Sequence, residues 1–329
     1  MQKHLITTAL LALSAWAGTA GATTATTSLN LANYQLSGSY ALDTLNGLGL
    51  EASAVTYARD RGTLFVVGDE GLGVVEISRT GQTLGSMAFN WANTGSTHND
   101  TEGLTYLGNG QLVVVDERPQ RAYSFSYLAG GTQALGSTPY ATISNYSPSN
   151  IGIEGISFDP RNGTFVSVKQ DNDSNAARGP QEVRAGSLNF GVGGTGTASM
   201  NVLFNASLLG LASLSDVQVL STVDALAGTA AADHLLILSL DSQLLVETTR
   251  SGQVLGSLDL RTLTNTQNIE GLTIDEHGVI YLVAEQQQGS GAPAGAASRL
   301  FVLTPVPEPG TWALMAGGLG LLGWRARRR

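Results

Sequence analysis

Five acidic residues recur at intervals of 51 to 62 residues, and their carboxylates are the groups in this chain best suited to chemistry. Three of them open nearly identical segments: Glu102-Gly103-Leu104-Thr105-Tyr106, Glu154-Gly155-Ile156-Ser157-Phe158 and Glu270-Gly271-Leu272-Thr273-Ile274. Converging carboxylates must bind a cation, take up protons or pair with bases. Calcium suits them, because this hard ion accepts about six to eight oxygens in flexible geometry. The spacing therefore predicts a calcium site built from one acid per repeat: Glu51, Glu102, Glu154, Asp216 and Glu270.

The repeat around Glu102 indicates which elements position these acids. A short strand ends at Gly108-Asn109-Gly110, an apolar strand runs over 111–116, and 122–127 alternates aromatic and small residues. Asn-Gly between two apolar runs is a strong hairpin signal. Similar turns follow the other acids: Asp60-Arg61-Gly62, Asn162-Gly163 and His277-Gly278. Four antiparallel strands in each unit of about 50 residues predict an all-β, five-bladed β-propeller, with six blades as the less favoured alternative.

The last repeat lacks a strand of its own to complete it. After residue 303 the chain reaches Pro305 without a fourth strand, whereas a spare strand is predicted at 34–42, before the first repeat. We expect this N-terminal strand to complete the final blade, which would close the ring and remove its exposed edges. The propeller domain is then predicted to span residues 23–304.

A second layer of charged residues closes the strand that follows each acid: Asp69, Asp116, Lys169, Asp241 and Glu285. Because the two ends of a hairpin lie at the same face of the disc, both layers are expected at one mouth of the channel. Lys169, the exception among the acids, is expected to form an ion pair with a neighbouring carboxylate. In the structural alternative to a metal site, the repeated acids bind backbone amides of the next blade and the glycines permit close packing.

The two ends of the sequence have the features of targeting segments. Residues 1–22 combine a basic start, an apolar run and small residues, which predicts a secretory signal peptide. Residues 305–329 contain Pro307-Glu308-Pro309, an apolar stretch and four terminal arginines. This tail resembles the PEP-CTERM sorting signal, which implies removal by an exosortase and only transient membrane contact. A plain tail anchor is the alternative, although the apolar stretch falls short of the roughly 20 residues of a stable span.

Composition excludes several classes of function. The chain has 26 acidic and 17 basic residues, and removing both ends leaves a net charge near −13 with Lys169 as the only lysine. Such a surface repels nucleic acids, so none is expected as a partner, and it favours cations. The absence of cysteine in an exported chain means that an ordinary core, without disulfides, must stabilise the fold.

Four kinds of segment occur in order along residues 48–304: Gly68-Asp69-Glu70-Gly71, Asp116-Glu117-Arg118-Pro119-Gln120-Arg121, the Glu-Gly-Leu/Ile starts and Val166-Ser167-Val168-Lys169. Together they resemble the SdiA-regulated (YjiK-like) family of exported propellers. The resemblance implies a five-bladed propeller with bound calcium and no established enzymatic activity. The departures are Ala52 where other repeats have glycine, and the divergent fourth repeat at Asp216.

Few other residues suggest chemistry. Asp171-Asn172-Asp173-Ser174-Asn175 resembles the start of a calcium loop, and Glu182 occupies the twelfth place, but glycine is missing at the sixth. It is a second cation site or, as favoured, a solvated loop. His98 precedes the second acid, and His277 falls in a predicted turn. No G-x-S-x-G or H-E-x-x-H motif is present.

These observations favour a non-enzymatic, calcium-binding propeller, exported to the cell envelope, outer surface or extracellular matrix of a Gram-negative bacterium. Its partner would be an unknown small molecule or glycan. The alternative is a calcium-dependent hydrolase of the esterase, lactonase or phytase-like kind, in which Glu102 or His98 would activate water. A purely structural matrix protein is a third possibility.

Overall fold

A computed structural model describes residues 28–42, 45–264, 267–285 and 297–306. The predicted signal peptide (1–22) and the sorting tail beyond Val306 lie outside the described residues. The described chain forms five small sheets arranged as the blades of a ring, so the prediction of an all-β, five-bladed propeller is confirmed. Among these residues, no helix is both long and apolar enough to span a membrane.

Each blade consists of four antiparallel strands. Blade 1 contains β2 (Ala52–Ala58), β3 (Thr63–Gly68), β4 (Gly73–Ile77) and β5 (Thr83–Asn90). Blade 2 contains β6 (Thr101–Gly108), β7 (Gln111–Asp116), β8 (Arg121–Ser126) and β10 (Tyr140–Thr142). Blade 3 contains β11 (Ile153–Asp159), β12 (Thr164–Lys169), β13 (Glu182–Asn189) and β14 (Thr197–Asn205). Blade 4 contains β15 (Asp216–Val219), β16 (Leu235–Ser239), β17 (Leu244–Thr248) and β18 (Val254–Asp259).

Blade 5 joins the two ends of the domain. It contains β19 (Ile269–Ile274), β20 (Ile280–Ala284), β21 (Arg299–Pro305) and, at its outer edge, β1 (Tyr34–Ala41). Strand β1 pairs antiparallel with β21 from Tyr34 opposite Pro305 to Ala41 opposite Arg299. The predicted closure by an N-terminal strand is therefore confirmed, and residues 28–306 contain every strand of the ring.

The remaining elements are short. Strand β9 (Thr132–Ala134), although it belongs to the second repeat, adds a parallel fifth strand to the outer edge of blade 1. One α-helical turn, α1, spans Arg261–Thr264. The 3₁₀ turns span Leu31–Asn33, Leu45–Gly47, Leu135–Ser137, Ala176–Arg178, Val192–Gly194, Ala206–Leu209, Leu220–Thr222, Asp224–Leu226 and Ala230–Asp233.

The hydrophobic core is divided among the five interfaces between blades, with one cluster of buried side chains at each. Strand β7 shows the principle, because Leu112, Val113, Val114 and Val115 are all fully buried. Leu112 and Val114 pack with blade 1, whereas Val113 and Val115 pack with blade 3. A strand buried on both faces reads as a continuous apolar run, because its alternate side chains serve opposite neighbours.

The innermost strands β2, β6, β11, β15 and β19 lie side by side around the central channel. All five run in the same direction across the disc, so their first residues gather at one opening and their last residues at the other. We call the opening at their first residues the acidic mouth and the opening at their last residues the far mouth.

Candidate functional site

A β-bulge opens three of the inner strands, and a glutamate is the extra residue in each. The pairing register shifts across Glu102 in β6, Glu154 in β11 and Glu270 in β19. A bulge bends the strand and redirects a side chain, which is why bulges recur next to functional sites. Here it directs three carboxylates of equivalent position to the acidic mouth.

The other two acids of the predicted set occupy different positions. In blade 1 the bulge residue is Ser53, and Glu51 precedes the strand with a left-handed backbone (φ 58°). In blade 4, Asp216 is paired directly with Leu238 as the first residue of β15. Each repeat thus contributes one acid, but in blades 1 and 4 the strand register places that acid outside the bulge position that the three glutamates share.

Asp216 supports the fold through hydrogen bonds to backbone amides. Its Oδ1 accepts from the amide of Val217 and its Oδ2 accepts from the amide of Leu272 in blade 5, both at 2.7 Å. Burial raises the pKa of Asp216 well above its ordinary value. Gly155 of blade 3 approaches it so closely that a Cβ there would lie 2.5 Å from Oδ1 of Asp216. In blade 4, therefore, the acid has the role given by the alternative to a metal site: it binds backbone amides, and a glycine of a neighbouring blade packs closely against it.

The three bulge glutamates share one electrostatic environment. The pKa of each is raised well above the ordinary value, first by burial and then by repulsion from other carboxylates. Repulsion from Glu270 raises the pKa of Glu102, and repulsion from both raises the pKa of Glu154. Charges from blades 2, 3 and 5 therefore interact across the acidic mouth. This convergence is what the spacing of the repeats predicts for these three residues.

The second layer adds carboxylates to the same cluster. Burial, followed by repulsion from Glu51, raises the pKa of Asp69 to about 7. Burial raises the pKa of Asp116 to about 6, and it also raises that of Glu285, which interacts with Glu270. Asp241 contributes to the repulsion that Glu270 experiences. Both layers therefore meet at one mouth, as expected from the hairpin geometry.

Glu117 is a member of the cluster that sequence reasoning missed. It is almost fully buried, and its Oε1 accepts a 2.6 Å hydrogen bond from the amide of Gly152. Burial raises its pKa to about 8, and its charge acts on Glu102 and Glu154. Its position directly after Asp116, at the end of β7, was the available signal.

A compact group of oxygen donors lies beside blade 1. One carboxylate oxygen each from Glu51, Asp69 and Glu70 lies within 4.8 Å of the other two. Oδ1 of Asp69 is buried and has no hydrogen-bond partner in the described part of the chain. A hard cation with bonds of about 2.3 to 2.6 Å to oxygen fits such a set. These residues, with the bulge glutamates nearby, could hold calcium.

Lys169 does not follow the expectation of an ion pair. Its ammonium donates a 2.6 Å hydrogen bond to the backbone carbonyl of Asp171, and no ion pair found among the described residues includes it. Its pKa is lowered, because burial outweighs the attraction of the neighbouring acids Asp171, Glu182, Glu117 and Glu154. The prediction of an ion pair for Lys169 is thus wrong, and the surrounding carboxylates do not produce a net rise in its pKa.

The segment that resembles a calcium loop uses its oxygens internally. Asp173 accepts from the amide of Asn175 at 2.6 Å and pairs with Arg178 at 2.5 Å. Oδ1 of Asn172 accepts from the amide of Gln181. Glu182 forms an ion pair with Arg184. These contacts describe a loop held by its own turns, in agreement with the favoured reading.

His98 and His277, the two histidines considered from the sequence, both lie in solvated loop positions. His98 is exposed between β5 and β6, and His277 is exposed in the turn after β19. The hydrolase alternative, in which Glu102 or His98 activates water, stays a prediction.

A belt of side-chain hydrogen bonds joins neighbouring blades midway along the channel, and it too was missed from the sequence. The hydroxyls of Thr56, Thr105, Ser157 and Thr273 accept from the amides of Tyr106, Phe158, Val219 and Tyr57, at 3.0 to 3.1 Å. At the fifth interface, the Thr273 hydroxyl donates to Oε1 of Gln218 at 3.1 Å. The signal was the hydroxyl at the fourth place of each Glu-Gly-Leu/Ile segment.

Comparison with known proteins gives two family-profile matches and several similar solved structures. The family profile described as SdiA-regulated matches residues 26–287, and that of the PEP-CTERM protein-sorting motif matches residues 305–329. Among solved structures, a luciferin-regenerating enzyme is similar at 10% identity and a TM-score of 0.44, covering 81% of this chain and 95% of its own. The β-propeller domain of Cps50 (Swd1) from Myceliophteria thermophila is similar at 11% identity and a TM-score of 0.36, covering 81% and 74%.

Proposed function

Because the chain belongs to the SdiA-regulated family and carries a PEP-CTERM sorting motif, we propose that this exported propeller is a calcium-binding protein without enzymatic activity. The motif implies processing by an exosortase. The observation that carries the proposal is the meeting of Glu102, Glu154 and Glu270 with the second-layer acids at one mouth. Calcium would be their cofactor, supplying charge neutralisation and a rigid link between blades.

Electrostatics explains why a cation would be needed. A pKa raised by burial and repulsion means that the ionised form is unfavourable in the folded protein. At neutral pH several of these groups must then keep a proton or receive a counter-charge. Arg118, which forms a 2.6 Å ion pair with Asp100, supplies one positive charge at the edge of the cluster. A divalent cation would neutralise the remainder, and the Glu51–Asp69–Glu70 group offers a compact set of oxygens for it.

The sorting tail suggests where this protein works. Cleavage by an exosortase would release the propeller to the cell envelope, outer surface or extracellular matrix of a Gram-negative bacterium. There the stabilised disc would bind a small molecule or glycan.

Calorimetric titration of calcium into EDTA-treated protein tests the proposal. The protein is residues 23–306, which include every strand of the ring. We expect about one ion to bind and the melting temperature to rise, since a ligand at 1,000 times its Kd adds ~4 kcal/mol to stability. Asp69→Asn and Glu51→Gln should abolish binding if the compact group holds the ion. Glu102→Gln and Glu270→Gln should abolish it if the ion lies on the channel axis.

Asp224→Asn is the matched control, because this acid is exposed at the opposite mouth. It should leave the calcium titration unchanged. If calcium and EDTA both leave the melting temperature unaltered and no heat of binding is measured, the metal proposal is wrong and the acids are structural. Ester and lactone substrates, added to the calcium-loaded protein, test the hydrolase alternative.

A further inference from the structure

A cavity of about 660 Å³ opens at the far mouth, on the opposite side of the disc from the acids. Its walls come from the last residues of all five inner strands and from the turns that follow them. This volume lies within the range of roughly 300 to 1,000 Å³ that is typical of small-molecule sites. The calcium proposal makes no use of this space.

The floor of the cavity is the belt of hydroxyls. Thr56, Thr105 and Ser157 line it and are almost fully buried. Each oxygen accepts from a backbone amide of the next blade, which fixes its position, whereas no acceptor for its proton is found among the described residues. Buried hydroxyl groups usually satisfy their hydrogen-bonding capacity. The floor therefore presents three fixed O–H donors to whatever occupies the cavity.

A fourth hydroxyl and two tyrosines extend this surface upward. Thr222 lines the cavity, and its Oγ1 is buried without a hydrogen-bond partner in the described structure. Tyr57, Tyr106 and Phe158 follow the belt residues in their strands and supply apolar ring surface. Hydroxyl donors beside aromatic rings match a ligand with many oxygen atoms and an apolar ring face.

The charges of the lining exclude an acidic ligand. Arg59 is the single basic residue of the lining, and its guanidinium already binds both oxygens of Asp224, at 2.8 and 3.0 Å. Asp60 and Glu276 add negative charge to the same walls. A phosphorylated or carboxylated ligand would meet repulsion without a free cation to offset it.

We propose that the far-mouth cavity binds a neutral carbohydrate of one or two sugar rings. The sugar hydroxyls would accept from the Thr56, Thr105 and Ser157 hydroxyls and exchange hydrogen bonds with Thr222. A C–H face of the ring would lie against the aromatic residues. This site is separate from the acids of the opposite mouth and does not depend on calcium.

Saturation-transfer NMR with a panel of neutral mono- and disaccharides, followed by titration calorimetry, tests this site in the chain of residues 23–306. We expect at least one sugar to bind with a Kd of about 1 mM or lower. Thr222→Val, which keeps the shape and removes the hydroxyl, should weaken binding by about two- to tenfold. Thr222→Glu, which adds a third acid to the lining and removes the hydroxyl, should weaken binding at least as much.

Two controls distinguish this site from others. Thr83→Val also removes a buried hydroxyl without a hydrogen-bond partner, but on an outer strand of blade 1, and should leave sugar binding unchanged. Binding should be equal in calcium and in EDTA. The proposal is overturned if no sugar in the panel saturates the protein, if Thr222→Val binds sugar as tightly as the wild type, or if only aromatic or cationic compounds occupy the cavity.

Discussion

The two mouths of the channel are built from the same five strands but differ in their electrostatics. At the acidic mouth, bulges turn Glu102, Glu154 and Glu270 toward one another, which raises the free energy of their ionised forms. At the far mouth four of the five inner strands keep a regular register, whereas β6 has a second shift at Leu107, and hydroxyls and aromatic rings line the opening. The acidic mouth gathers buried carboxylates that repel one another, whereas at the far mouth Arg59 and Asp224 form an exposed ion pair and the buried belt residues are uncharged.

The belt of hydroxyls lies between the two mouths and explains how the residues at one mouth can differ in charge from those at the other. Thr56, Thr105, Ser157 and Thr273 bind the next blade through its backbone amides, so the identity of the partner side chain is irrelevant. A buried amide without an acceptor is costly. The belt thereby holds the register of the ring, and residues on either side of it can change for function.

The largest expected effect is on the acidic mouth and depends on pH. Folded-state pKa values raised to about 7 for Asp69 and about 8 for Glu117 mean that the folded protein binds more protons than the unfolded chain between about pH 4 and 8. In EDTA, stability should thus fall as pH rises through this window. Glu102→Gln should raise the melting temperature at pH 8 by roughly 2 to 4 °C for each kcal/mol of repulsion removed.

Melting curves from pH 5 to 8.5, with EDTA and with calcium, measure this effect. Calcium should flatten the pH dependence of the wild-type protein and stabilise Glu102→Gln less. The melting temperature of the wild type and of Glu102→Gln, each with EDTA and with calcium, could instead change equally with pH. The carboxylates of the acidic mouth would then carry no electrostatic cost that distinguishes it from the far mouth.

Close packing at the acidic mouth should produce the next largest effect. A Cβ at Gly155 would lie 2.6 Å from the Cα of Asp216, a backbone atom that cannot move without shifting β15. Gly155→Ala should therefore destabilise the fold by about 1 to 3 kcal/mol, as overpacking does. Gly256→Ala is the matched control, because a Cβ there meets nothing within 4 Å, and its effect should stay below about 0.5 kcal/mol. Urea unfolding of both variants compares them.

Removing one hydroxyl of the belt should have a similar or smaller effect. Thr105→Val keeps the side-chain shape but leaves the amide of Phe158 without its 3.0 Å acceptor, at a cost of about 1 to 3 kcal/mol. Thr105→Ser retains the hydroxyl and should cost clearly less. Calcium titration should be the same in both variants, since the belt lies away from the acids. A change in calcium affinity would show that the two mouths are coupled through it.

Much of the fold could be predicted from the sequence, because the turn residues and the period of the repeat indicate the same strands. The Gly108-Asn109-Gly110 turn lies between β6 and β7 as predicted, with Gly108, Asn109 and Gly110 all in the left-handed region. The closing strand β1 was predicted because β21 would otherwise leave an exposed edge.

The site was only partly accessible, because a carboxylate's position depends on strand register rather than on sequence spacing. Glu51 lies five residues before its belt threonine and Asp216 two residues before Gln218, whereas Glu102 lies three before Thr105. Aligning the repeats on the belt positions, which are hydroxyls in four blades and Gln218 in blade 4, would have revealed both shifts. Burial raises the pKa of Glu117 and lowers that of Lys169, and the spacing of residues in the sequence does not reveal burial.

The smallest expected effect is at the far mouth, where charge is solvated. Arg59 and Asp224 form a 2.8 Å ion pair, but their side chains are 55% and 59% exposed. Solvent screening limits such pairs to about 0 to 1 kcal/mol. Asp224→Asn should therefore change the free energy of unfolding by less than about 0.5 kcal/mol at 0.15 M salt, and raising the salt to 1 M should remove that difference. Denaturant melts at the two salt concentrations measure it. If Asp224→Asn lowered the free energy of unfolding by more than about 1 kcal/mol, charge would affect stability at both mouths. The mouths would then differ only in how deeply their charged groups are buried.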